Sequence, residues 1–118
     1  MTLYDYTGRA VAYSDDGETI YLFNGAPLAY FYRDMVYGFG GQQLGTIRNG
    51  WIRDHRGYCV FFTDNSVGGP VKPIKQIKPI KCVKQIKPIK HIRHVPYVRA
   101  VDQIGWSNLS GESFFLSI

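Results

Sequence analysis

The chain is poor in cysteine: Cys59 and Cys82 are the only two in 118 residues. Two thiols make no disulfide framework, so idle thiols in a reducing compartment are expected, with a single bridge as the alternative. No stretch approaches about 18 consecutive apolar residues, which excludes a transmembrane helix. The start, Met1-Thr2-Leu3-Tyr4-Asp5-Tyr6, lacks the basic and apolar regions of a secretory signal. A cytoplasmic location without a membrane partner is therefore expected. No glycine-rich phosphate loop leads into a helix, and no serine or cysteine sits in a recognisable nucleophile–base arrangement. The expectation is no enzyme, no catalytic residue and no cofactor.

Acidic residues are missing from one long segment. Residues 71–101 carry seven Lys and two Arg with no Asp or Glu, a net +9, whereas residues 1–70 net −2 and residues 102–118 net −2. The overall +5 is thus the property of one stretch rather than of the whole surface. Glycine is also absent from 71–101, which rules out a collagen-like repeat.

What is present is a repeat. Gly8, Gly25, Gly41 and Gly57 are spaced by 17, 16 and 16 residues. Five residues before them stand Leu3, Ile20, Val36 and Ile52, followed by Tyr4, Tyr21, Tyr37 and Arg53. Two residues before the glycines stand Tyr6, Phe23, Phe39 and His55; three after them stand Val11, Leu28, Leu44 and Val60. Each glycine falls in a turn dipeptide, where it supplies positive φ, and a two-residue hairpin turn is expected at each. Further turn signals fall midway, at Asp15-Asp16-Gly17, Arg33-Asp34 and Asn49-Gly50. Short strands between turns about eight residues apart predict an all-β meander of four hairpins over residues 1–66, closed into a pseudo-fourfold barrel or propeller so that no edge is left unpaired. The Leu3 and Val11 columns are the expected core. The Tyr6/Phe23/Phe39/His55 column is expected in the core, or else as a ring around a mouth.

A basic tail follows over 67–101. From Val71 to Val101 an aliphatic residue or its substitute recurs every third position, and the next residue is usually Lys or Arg. A period of three fits neither α-helix nor strand. Pro73, Pro79, Pro88 and Pro96 exclude a regular helix, leaving a polyproline-II-like strap with aliphatic, cationic and mixed stripes. At ~3.1 Å per residue the 31 residues would run about 96 Å, so the strap must wrap or project. The aliphatic stripe is expected to pack on the domain's own surface or on that of a symmetry mate, with the cations facing solvent or the acidic surface of residues 1–70. His91 and His94 would lie about 9 Å apart along such a strap, too far to share one ion, so no metal is expected. Residues 102–118, with Trp106, Leu109, Phe114 and Phe115, are the expected C-terminal anchor, with a short helical turn through 110–115.

The units Ile20-Tyr21-Leu22-Phe23-Asn24-Gly25-Ala26-Pro27-Leu28-Ala29-Tyr30, Val36-Tyr37-Gly38-Phe39-Gly40-Gly41 and Gly50-Trp51-Ile52-Arg53-Asp54 resemble those of the small bacterial 4-fold β-flower proteins. So do the proline-containing tail and the closing Trp106-Ser107 and Phe114-Phe115, although this tail is richer in Lys and Ile than in Pro. The resemblance implies a four-petalled β fold, a bacterial source, no established activity and no catalytic residues. The functional expectation is a structural or interaction module, with a protein partner or self-association. The alternative is nucleic-acid or polyanion binding through Lys72, Lys75, Lys78, Lys81, Lys84, Lys87, Lys90, Arg93 and Arg99.

Overall fold

In the computed structural model, which describes residues 1–109 and 111–116, four hairpins close into one antiparallel barrel. Its eight strands are β1 (Thr2–Tyr4), β2 (Ala10–Tyr13), β3 (Thr19–Leu22), β4 (Pro27–Tyr32), β5 (Met35–Gly38), β6 (Gln43–Arg48), β7 (Trp51–Arg53) and β8 (Cys59–Phe62). Each pairs with its sequence neighbour, and β8 returns to β1 through Tyr4↔Phe62. The expected pseudo-fourfold closure is the observed one.

The turns at Gly8, Gly25, Gly41 and Gly57 share one construction, which differs from the two-residue turn expected. In the first, the Asp5 amide donates to the Arg9 carbonyl and the Gly8 amide donates to the Asp5 carbonyl. This is a three-residue loop with one left-handed residue, the glycine, and the register of each hairpin shifts one pair further along. A two-residue I′ turn needs positive φ at both central positions, and Thr7 does not supply it. Asn49-Gly50, with φ of 52° and 79°, is a two-residue turn of that kind. The glycine turns all lie at one end of the barrel, and the midway turns at the other.

Alternation within the strands sorts side chains into two layers. Leu3, Ile20, Val36 and Ile52 are fully buried inside the barrel with Val11, Leu44 and Val60, while Leu28 is half-buried. Phe114 and Phe115 seal the inside. Both belong to the barrel core, and Phe114 meets Phe61 edge-on at 5.7 Å. The helical turn that carries them is α1 (Ser113–Leu116); Ser110, where the expected turn begins, lies outside the described residues.

Side chains on the outer wall are aromatic, and they too are buried. Tyr13 faces Tyr21, Tyr30 faces Tyr37, and Phe62 faces Tyr4 across successive strand boundaries. Thr46 faces Arg53 at the fourth. The Tyr6/Phe23/Phe39/His55 column belongs to this outer layer and not to the barrel interior. Phe23 and Phe39 are buried against Tyr13 and Tyr30, Tyr6 is exposed, and His55 lies against the Tyr97 ring. A sheet with apolar residues on both faces needs cover outside as well as inside. That cover is the tail.

Candidate interaction surface: the belt and its rim

Residues 71–103 form neither helix nor strand and run once around the barrel at the glycine-turn end. Four belt amides dock on the four turns at identical nine-residue intervals. Gln76, Gln85, His94 and Gln103 donate to the carbonyls of Gly8, Gly25, Gly41 and Gly57 at 2.8, 2.9, 2.7 and 3.1 Å. Cys82 and His91 add bonds to Phe23 and Phe39 at 2.8 and 2.9 Å. None of the belt prolines occupies a donating position, as a residue without an N–H requires. The belt is thus four nine-residue units, 71–79, 80–88, 89–97 and 98–106, one per hairpin. At ~3.1 Å per residue these span about 110 Å, which matches the perimeter of a body 36 Å across.

The turn glycines are needed for the belt as well as for the turns. A Cβ built on Gly8, Gly25, Gly41 or Gly57 would collide with the carbonyl oxygen of Ile74, Val83, Ile92 or Val101, again nine residues apart.

The cationic stripe faces the barrel wall. Lys81 Nζ lies 4.5 Å from the Tyr13 ring centre and 3.0 Å from Asp15; Lys84 lies 5.4 Å from the Tyr21 ring and 2.9 Å from Asp15. Lys90 covers Tyr30 at 4.4 Å and pairs with Glu18 at 2.8 Å, and Arg93 stacks 3.5 Å from the Tyr32 ring. Lys75 covers Tyr4 and pairs with Asp64. Lys72 donates to the Ser66 carbonyl at 2.8 Å, and Arg99 pairs with Asp102 at 2.8 Å. For Lys75, Lys81, Lys84 and Lys90 the stem crosses an aromatic ring while the charge reaches an acid near the far turns, an arrangement suited to an amphipathic side chain. Of the nine predicted cations, Lys78 and Lys87 make no hydrogen bond, ion pair or ring contact among the described residues and feel only the longer-range attraction of Asp64 and Glu18.

The aliphatic stripe points the other way, which overturns the expectation that it packs on the domain's own surface, while the cations do face the acidic first half. Val71, Ile74, Ile77, Ile80, Val83, Ile86, Ile89, Ile92, Val95, Val98, Val101 and Ile104 are 77–97% exposed. The wall beneath the belt explains the reversal. It offers tyrosine faces and carboxylates, which bind cations better than they bind aliphatic side chains.

The fourth belt unit breaks the pattern together with the fourth hairpin. Where the others place Lys75, Lys84 or Arg93 against a tyrosine, this one places Asp102 against Arg53. Arg53 is buried, donates through one guanidinium nitrogen to Gly57 and Gln103 at 2.7 and 2.6 Å, and has its Nε 3.5 Å from Asp102. The cleft around it, lined by Thr46, His55 and Tyr97 among others, has a volume of about 10 Å³, room for one water and no larger ligand.

The chemistry elsewhere is quiet. Burial pushes the Cys59 thiol up to about 11, which keeps it protonated and unreactive. Burial lowers the His55 pKa. No cluster of three or more His, Cys, Asp and Glu among the described residues could hold a metal ion.

Hydrogen bonds from Lys84 and then Lys81 hold the Asp15 carboxyl down to about 2. A carboxylate pKa depressed in the folded state adds stability above its ordinary value near 3.8, and that contribution fades as pH falls through about 2. Asp15→Asn is therefore expected to lower the melting temperature at pH 7, with most of that deficit gone by pH 2, where the folded-state carboxyl is half protonated. A deficit at pH 2 as large as that at pH 7 would assign Asp15 a role other than its ion pairs.

Two features of this surface were hidden in the sequence. The nine-residue period was masked by the stronger three-residue one, although Gln76, Gln85 and Gln103 mark it. The paired Arg53 and Asp102 departures were each visible but nothing linked them.

Neither the curated proteins nor the solved structures compared with this chain gave a match. The sequence model of the 4-fold beta flower proteins matches residues 1–115. Four hairpins, four glycine turns and a four-unit belt fit that description, and the chain belongs to the 4-fold beta flower protein family.

Proposed function

We propose that the protein is a non-enzymatic interaction module whose working surface is the aliphatic rim. One observation carries this reading: twelve Val and Ile side chains stand exposed in an unbroken row around the molecule. At about 100 Å² of apolar surface each they amount to on the order of 1,200 Å², against about 300–600 Å² for the largest patch of an ordinary monomer. Every member is β-branched, which stiffens an extended backbone. Threonine would stiffen it equally and suit water better, yet none stands in the row. Polyanion binding has less support, because Lys75, Lys81, Lys84, Lys90 and Arg99 are already paired with acids of the same chain.

A photocrosslinking residue at position 80, in the protein expressed in its own host, tests the reading. The expected outcome is a discrete adduct that disappears when Ile77 and Val83 become Thr, with the melting temperature unchanged because those side chains touch nothing. No adduct at any rim position, together with heparin binding that survives rim substitution, would move the function to the cations.

A further inference from the structure

The shape and charge of the rim restrict what can cover it. The molecule is a disc, 36 × 36 × 21 Å, and the apolar row follows its convex edge. A second copy, also convex, would meet one side of the disc and cover about three side chains, roughly 300 Å² per partner. A stable protein interface needs about 800 Å² per partner. Two copies meeting there would also bring like charges together, since Lys78 and Lys87 make no ion pair and the acids they attract at longer range, Asp64 and Glu18, are already paired with Lys75 and Lys90. What fits a convex, apolar, cation-flanked edge is a deformable phase that is apolar within and anionic at its surface.

We infer that the rim arc from Ile77 to Ile89 docks edge-on to an anionic lipid surface, with Ile77, Ile80, Val83, Ile86 and Ile89 entering the acyl boundary and Lys78 and Lys87 meeting the headgroups. This rests on the rim reading above and names its partner. The arc holds five exposed aliphatics in a row and Lys78 and Lys87, whose ammonium groups make no ion pair and only longer-range contact with Asp64 and Glu18. Exposed apolar side chains beside lysines held in no ion pair are the composition of an interfacial anchor. The arc has no continuous apolar run, because its apolar residues come every third position. No helix among the described residues is long and apolar enough to cross a membrane, and docking at the surface needs none.

The protein provides its own reporter. Cys82 lies within the arc and is exposed, whereas Cys59 is buried. An environment-sensitive fluorophore on Cys82 can be titrated with phosphatidylcholine vesicles and with vesicles in which about a third of the lipid is phosphatidylglycerol, with co-flotation of unlabelled protein in parallel. Expected is a blue shift and flotation with the anionic vesicles, weakened roughly tenfold or more by Lys78→Gln with Lys87→Gln. Binding should be lost when Ile77, Ile80, Ile86 and Ile89 become Thr, with the melting temperature unchanged. No binding to either vesicle overturns the inference. If sedimentation then shows rim-dependent self-association, the rim reading stands with a second copy as its partner. Anionic-vesicle binding that ignores the threonine substitutions overturns both, because charge alone would then explain it.

Discussion

Gly25→Ala is expected to lower stability by about 3 kcal/mol, with belt release as the cause. Two costs add. Alanine at φ +95° costs about 1–2 kcal/mol in backbone strain. The added Cβ also collides with the Val83 carbonyl oxygen, so the belt must lift and surrender the bonds from Gln85 to Gly25 and from Cys82 to Phe23, each worth about 1 kcal/mol. Gly17→Ala separates these costs. It has φ +73° but nothing within 4 Å of a new Cβ, so it should cost about 1 kcal/mol. Urea unfolding at neutral pH measures both. Hydrogen exchange should show the Cys82 and Gln85 amides losing protection in the Gly25 variant while the strands keep theirs. Equal losses in the two variants would mean that the belt contributes nothing at its turn contacts.

The same glycines mark how far the sequence could be read. Positive φ at a turn is a local demand, and it showed as four aligned glycines and therefore as four hairpins. The Leu3 and Val11 columns followed from strand alternation, also local. The strap was legible from its three-residue rhythm and its prolines. Its facing was not. A period of three defines three stripes but does not say which one lies inward, because that depends on the surface they meet. Apolarity alone puts Ile77 and Ile86 inward, but the wall they would meet is Tyr13, Tyr21, Tyr30 and Asp15, which hold cations. The sequence did carry a hint. Leu3-Tyr4, Ile20-Tyr21 and Val36-Tyr37 are apolar on both faces of a strand, so the outer face needed an amphipathic cover, and a lysine stem provides one.

The break in fourfold symmetry leads to the second large expected effect. If belt and barrel are matched unit by unit, the fourth unit should be convertible to the chemistry of the other three, but only when both partners change. Asp102→Lys alone sets an ammonium beside the Arg53 guanidinium, whose side chain is 8% exposed, and removes the acid that Arg99 holds. Removing one partner of a fully buried ion pair costs about 3–5 kcal/mol, and with Asp102 itself 40% exposed about 2–3 kcal/mol is expected. Arg53→Tyr alone strips the Gln103 carbonyl of the Arg53 donor, leaves the Gly57 carbonyl with the Gln103 amide alone, and leaves Asp102 facing a phenol ring, for about 2 kcal/mol. The double substitution rebuilds the tyrosine-under-lysine pair found at Tyr21 and Lys84. It is expected to cost about 1 kcal/mol, less than either single change, which gives a coupling of about 3 kcal/mol in a double-mutant cycle. Additive losses would mean that Arg53 and Asp102 are independent local accidents. A strong favourable coupling would show that the belt reads the barrel face by face, so that the register of the strap, and with it the placing of its exposed rim, is set by which side chain each hairpin presents.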